Sequence, residues 1–99
     1  MQFLMIATIK PGTPKRKVIE LIRIEAAAAF KLYAREIVRS IHFKADMSGA
    51  VMMMEADTQA EIEKALDTLP MVHQGVLSTE IIPLKPYDAY VKLFEKHFK

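Results

Sequence analysis

The chain has 99 residues, a formal net charge of +2, 52% hydrophobic and 26% charged residues, and no cysteine. This length fits one domain with a modest core, and the lack of cysteine excludes disulfides and thiol chemistry. Interspersed charges argue against nucleic-acid binding, three scattered histidines argue against a structural zinc site, and no apolar run is long enough for a membrane span. No signal peptide is visible, so we expect a cytoplasmic location.

The predicted elements follow the order β-α-β-β-α-β and end in a short helix. They are a strand over 2–10, a helix from Pro14 to about Ala34, strands over 36–44 and 50–56, a helix opening over 57–61 and stopped by Pro70, a strand over 76–84, and a final helix capped by Asp88 with an apolar stripe of Tyr90 or Val91, Phe94 and Phe98.

Local signals set three of these boundaries. Thr13 is the expected N-cap of the first helix, with Pro14 at its first position. Thr58 and Glu61 have the spacing of a capping box at the start of the second helix. The residues 46–49 have turn composition, so the second and third strands should form a hairpin.

This order predicts the α+β, ferredoxin-like arrangement: a four-stranded antiparallel sheet with both main helices on one face. In the third strand, Met52 and Met54 should point to one face and Val51 and Met53 to the other. The second apolar face has no cover within 99 residues, so we expect two sheets to meet in a homodimer, a dimeric α+β barrel. The single domain spans 1–99, with a core over 1–86 and a helical tail over 87–99 that clasps a neighbouring copy.

Glu25 breaks the pattern of the first helix. On a helical wheel Arg16, Arg23 and Lys31 mark the solvent stripe, whereas Glu25 falls within the apolar stripe that includes Leu21. A buried carboxylate is costly unless it is paired or protonated, and burial raises its pKa toward the range that proton transfer at neutral pH requires. Glu25 is therefore either a catalytic base or a structural group satisfied by a partner such as Arg39, Ser40 or a backbone donor.

Three further side chains are candidates for the same site. In the second strand, Arg39 could hold a substrate carboxylate in two parallel hydrogen bonds or neutralise Glu25. His42 could be a second proton carrier or a surface residue. Tyr33, at the end of the first helix, could donate a hydrogen bond to a ligand or could serve packing alone. The register of the second strand decides which of Arg39 and His42 points inward.

Four stretches of the chain carry a family resemblance. Two of them are the runs Glu25-Ala26-Ala27-Ala28-Ala29-Phe30-Lys31-Leu32-Tyr33 and Ile37-Val38-Arg39-Ser40-Ile41-His42-Phe43-Lys44-Ala45-Asp46. The other two are Gly49-Ala50-Val51 and the stretch from Leu69-Pro70-Met71-Val72 to Ile82-Pro83-Leu84-Lys85-Pro86-Tyr87. All four resemble the muconolactone isomerase-like group. The chain has no Trp, whereas characterised isomerases of that group carry one in the second strand. This difference favours a separate branch of the group.

The resemblance implies a dimeric α+β barrel and a cofactor-free isomerase that moves a proton on an unsaturated lactone or a related carbonyl acid. Glu25 would be the base, His42 an alternative proton carrier, and Arg39 and Tyr33 substrate-binding groups, with no metal. Two other functions stay open at this stage: a non-catalytic or stress-related barrel that binds a small molecule, and a purely structural oligomer. The site would lie either inside the barrel or between the helices and the sheet.

Overall fold

The computed structural model describes residues 1–95 and contains a four-stranded sheet with helices packed on one face. The strands are β1 (Gln2–Ile9), β2 (Val38–Phe43), β3 (Gly49–Glu55) and β4 (Leu77–Pro83), and the helices are α1 (Lys15–Ala34), α2 (Gln59–Leu66) and the short α3 (Pro70–His73). A 3₁₀ helix, Asp88–Leu93, follows β4. The predicted contribution of Phe98 to the last helix lies outside the described residues.

The sheet has the order β2-β3-β1-β4, and each neighbouring pair is antiparallel. This order confirms the predicted ferredoxin-like α+β arrangement. Between residues 1 and 95, no helix is both long and apolar enough to cross a membrane.

The main core lies between the sheet and the helices. Its largest fully buried side chains include Phe3 and Met5 of β1, Leu32 of α1 and Ile62 of α2. Met52 and Met54 are buried on this face, whereas Val51 and Met53 are only half-buried on the opposite face, as the alternation predicted. The homodimer expected through the opposite face stays a prediction.

The start of α1 differs from its predicted cap. Pro14 occupies the N-cap position without a side-chain cap, and the Thr13 hydroxyl donates instead to the carbonyl of Lys10 at 2.7 Å. The predicted Thr13 cap was therefore wrong by one residue. At the other end Glu36 adopts a φ of +64°. The amides of Glu36 and Ile37 donate to the carbonyls of Tyr33 and Leu32, which is the Schellman pattern with Glu where Gly is usual.

Two further caps can be compared with their predictions. The Glu61 amide donates to the Thr58 hydroxyl at 3.3 Å, and the Glu61 carboxylate accepts from the amide of Asp57, the residue before the cap. The predicted capping box at α2 is thus present with its return bond one residue early. Asp88 does not cap the last helix, because Tyr87 holds the N-cap position and the Asp88 carboxylate pairs with Lys85.

Candidate functional site

A cavity of about 590 Å³ lies between α1 and the helix-facing side of the sheet. We call it the helix–sheet cavity. Its walls are almost entirely apolar, and among the described residues Glu25 is the one carboxylate that lines it. The residues that line it come from β1 (Met5, Ala7 and Ile9), from one side of α1 between Val18 and Tyr33, from the end of β2 (Ile41 to Phe43) with Met47 after it, from β3 (Gly49, Ala50 and Met52), and from Leu69, Met71 and Leu77. A ligand bound here would meet mainly hydrocarbon.

Small side chains keep the cavity open. Small residues of both elements line it: Ala26 and Ala29 of α1, and Ala7, Gly49 and Ala50 of the sheet. A side chain at Gly49 would collide with β1, since an added Cβ would lie 1.9 Å from the carbonyl oxygen of Ala7. Glycine at this position therefore lets β1 and β3 pair closely.

Glu25 reaches from α1 to the start of α3. Its Oε1 accepts a hydrogen bond of 2.9 Å from the backbone amide of Met71. Desolvation by burial raises the pKa of the Glu25 carboxyl above its usual value, and the bond from the Met71 amide lowers it by a smaller amount. None of the ion pairs formed within residues 1–95 includes Glu25. The carboxyl is therefore a half-buried group with its proton affinity increased.

The partner of Glu25 follows from how α3 begins. Pro70 occupies the first turn of α3, and Leu69 at the N-cap position provides no side-chain cap. The first amides of a helix have no partner within the helix, and Met71 is buried, so its amide needs an acceptor from elsewhere. Glu25 supplies that acceptor. The sequence predicts Pro70 as the stop of the preceding helix, yet Pro is also common at a helix start, and that signal could have identified α3.

The four candidate residues do not all meet at the cavity. Glu25 and Tyr33 line it, and Tyr33 stands at its mouth with 56% of its surface exposed. Arg39 is exposed and does not line the cavity. The structure therefore brings Glu25 and Tyr33 to one space and leaves Arg39 outside it.

A bulge in β2 decides where His42 points. The register of β2 with β3 shifts between Val38 and Ser40, so that Arg39 is the extra residue. Beyond the bulge Ile41 pairs with Met52, on the cavity side, and His42 pairs with Val51. His42 borders the cavity, but strand alternation directs its imidazole to the opposite face of the sheet. The simple alternation expected along β2 therefore fails at Arg39.

No family model matches the chain, and no curated protein matches it in sequence. Among solved structures, 5-chloro-2-hydroxyhydroquinone dehydrochlorinase from Burkholderia phenoliruptrix AC1100, in complex with 2,5-dihydroxybenzoquinone, is similar with a TM-score of 0.74 and 20% identity, over 89% of this chain and 97% of that chain. The solution structure of a hypothetical Arabidopsis thaliana protein has a TM-score of 0.48 and 20% identity, over 86% of each chain. The first similarity supports the fold.

Proposed function

We propose that this protein binds a small, conjugated ring compound with a carbonyl group in the helix–sheet cavity and moves a proton on it without a cofactor. The observation that carries the proposal is the position of Glu25: one carboxyl, with a raised pKa, in a wall that is otherwise almost entirely apolar. An apolar space with few polar groups is typical of small-molecule sites, and a carboxyl with a raised pKa suits proton transfer near neutral pH.

The proposed reaction is a proton shift beside a carbonyl. Ionised Glu25 removes a proton from a carbon next to the carbonyl, or from the vinylogous carbon of an unsaturated lactone, and the electron pair of that C–H bond moves into the conjugated system as an enolate. Protonated Glu25 then returns the proton to another carbon of the same system. Atoms and charge balance, because Glu25 ends the cycle ionised and nothing is oxidised or reduced.

The hydrogen bond to Met71 gives Glu25 a fixed position for this role. It engages Oε1, and among residues 1–95 Oε2 has no hydrogen-bond partner, so Oε2 is the oxygen we assign to the substrate proton. Fixed geometry of this kind is what proton transfer requires. The dehydrochlorinase with a similar fold has a dihydroxybenzoquinone bound, and a conjugated, oxygenated ring of that size is the class of ligand we propose for this cavity.

The test compares Glu25→Gln with Glu20→Gln, an exposed carboxylate on the same helix outside the cavity. Muconolactone in ²H₂O is the probe, and ¹H NMR follows both its isomerisation and the exchange of its ring protons. Glutamine can still accept from the Met71 amide, so the fold should persist. Glu25→Gln should lower the rate by about 10²–10⁴-fold, and Glu20→Gln should leave it unchanged. Equal rates in the two variants would refute Glu25 as the base.

A second function, a binder without catalysis, is favoured by one specific observation. The bond from Met71 gives Glu25 a structural task at the start of α3, which needs no reaction. In that case the wild type would bind the probe in the cavity, seen as ¹H line broadening, yet would neither exchange its protons nor isomerise it. Glu25→Gln would then bind as well as the wild type.

A further inference from the structure

The turn between β2 and β3 places Met47 at the opening of the helix–sheet cavity. Among the described residues, the methionines that line this cavity are Met5, Met47, Met52 and Met71. Three of them are at most 4% exposed, whereas 60% of the surface of Met47 is exposed. A side chain that lines a cavity and is also mostly exposed lies where the cavity opens to solvent. Met47 is therefore free to contact a bound ligand, whereas the other three belong to the buried wall.

Met47 holds this place in a backbone conformation that is unfavourable for its residue type. Its φ is +62°, in the left-handed region where a Cβ atom comes too close to the following carbonyl oxygen. Glycine has no Cβ, avoids that contact and is the usual residue in turns with a positive φ. A glycine here would form the same turn with less strain, so the turn itself does not require methionine.

Hydrogen bonds on both sides of Met47 impose this conformation. The Met47 amide donates to the Lys44 carbonyl at 2.9 Å, and the Asp46 carboxylate accepts from the Ser48 amide at 2.9 Å. The Ser48 carbonyl accepts from the Ile9 amide at 2.8 Å, which ties the turn to the end of β1. Strained residues persist where the surrounding structure fixes them, and they are concentrated at ligand sites. The Cα and Cβ atoms of Met47 are therefore held at a fixed point of the opening.

The chemistry of methionine suits a ligand contact at this point. Its side chain is unbranched and flexible, and its polarisable sulfur packs favourably against aromatic rings. From a fixed Cα atom, such a side chain can adapt to rings of different outline and exclude water from their outer edge. Phe30 and Phe43, which line the same cavity and are each more than half exposed, add apolar surface at the opening. The outer part of a bound ligand would therefore meet apolar groups.

We infer that Met47 is a specificity-determining residue, which contacts the ring compound in the helix–sheet cavity and favours ligands whose outer edge is apolar. The strained backbone is retained because the side chain at this position contributes to binding, not to the fold. This role depends on the helix–sheet cavity as the ligand site of the proposed function, but not on proton transfer by Glu25. A protein that binds the ring without catalysis would use Met47 in the same way.

Titration with Nile red measures binding without any reaction. This dye is an apolar, conjugated ring compound with a carbonyl group, and its fluorescence rises in apolar surroundings. Full-length Met47→Gly, Met47→Leu and Glu36→Gly are compared with the wild type. Glu36 is the matched control, because its φ is also positive, at +64°, and it does not line the cavity. Ala26→Phe fills the cavity and so shows whether the dye binds there.

We expect Met47→Gly to weaken dye binding about 5–20-fold, the factor for covering the exposed 60% of a methionine side chain. Met47→Leu keeps an apolar side chain of similar volume, so it should bind within about twofold of the wild type. Glu36→Gly should bind as the wild type does. In urea, neither glycine variant should unfold at a lower midpoint than the wild type, because glycine relieves the positive φ.

Equal binding by Met47→Gly and the wild type would overturn the role of Met47. If Ala26→Phe binds no dye in the same experiment, the helix–sheet cavity would still stand as the ligand site. A lower urea midpoint for Met47→Gly would also overturn the role, because the side chain would then be retained for the fold. Failure of the wild type to bind the dye, or unchanged binding by Ala26→Phe, would overturn both the role of Met47 and the cavity as the ligand site.

Discussion

Replacing Glu25 by Ala and by Gln separates its structural role from its charge. Both variants lack the charge, so both escape the cost of keeping a carboxylate in a half-buried place. They differ in the hydrogen-bond acceptor: the side-chain oxygen of Gln can still accept a hydrogen bond from the Met71 amide, and Ala has no such oxygen. The comparison therefore measures what the 2.9 Å bond from Met71 to Glu25 contributes to the fold.

The expected size follows from the burial of Met71, of which 4% is exposed. A buried amide that loses its acceptor costs about 1–3 kcal/mol. The additional methylene of Gln, half-buried, adds about 0.4 kcal/mol, half of the value for full burial. We therefore expect Glu25→Ala to be less stable than Glu25→Gln by about 1.5–3.5 kcal/mol, or about 4–8 °C in Tm for each kcal/mol.

Urea unfolding at neutral pH, followed by circular dichroism, measures this difference. Ala forms helices more readily than Gln, and the same pair of substitutions at exposed Glu20 measures that bias so that it can be subtracted. If Glu25→Ala and Glu25→Gln unfold at the same urea concentration after this correction, the Met71 amide does not depend on Glu25, and the structural account of α3 is wrong.

Four further outcomes are expected. The folded-state pKa of Glu25 is raised, so the native state binds more protons than the unfolded state, and this group should lower the free energy of unfolding as pH rises from the ordinary carboxyl pKa through the raised one. The rate of the proposed proton transfer should increase over the same pH window, because Glu25 becomes ionised. Glu25→Gln should remove both contributions, measured by urea unfolding and by NMR at a series of pH values. Gly49→Ala should cost about 3 kcal/mol in urea unfolding, since its Cβ would meet the backbone of β1, and an unchanged midpoint would contradict that register. Glu36→Gly should raise the free energy of unfolding by about 0.5–1 kcal/mol, because Gly adopts the positive φ without strain, and a loss of stability would count against this cap. Ala26→Phe should fill the helix–sheet cavity and abolish binding of an apolar dye, whereas Ala27→Phe, outside it, should not.

The bulge in β2 shows why part of the site could not be predicted from the sequence. Alternation along a strand is a local rule, and it placed Met52 and Met54 correctly because β3 is regular. At Arg39 the pairing with β3 skips a residue, and each shift of one residue exchanges the faces of the sheet. Nothing in the residues near Arg39 signals this, since the shift depends on how two strands distant in sequence meet.

The helix–sheet cavity is a second case. On the helical wheel Ile22 falls in the same apolar stripe of α1 as Leu21, yet its side chain is 41% exposed and lines the cavity. The helical period fixes which side of α1 faces the sheet. It does not fix the distance between helix and sheet, which depends on the size of the residues that line the gap on both sides, such as Ala26 of α1 and Ala50 of β3.

By itself, the sequence determined the order of the four strands and of the two main helices, the ferredoxin-like topology and the presence of one carboxylate on the apolar side of α1, because these depend on local periodicity and on short-range caps and turns. The tertiary structure alone decided that Glu25 accepts a hydrogen bond from the amide of Met71, 46 residues away, and that a cavity opens beside Glu25. It also decided that Arg39 lies outside this cavity and that the register of β2 directs His42 to the opposite face of the sheet. These are long-range outcomes, set by strand register and by the packing of α1 and α3 on the sheet.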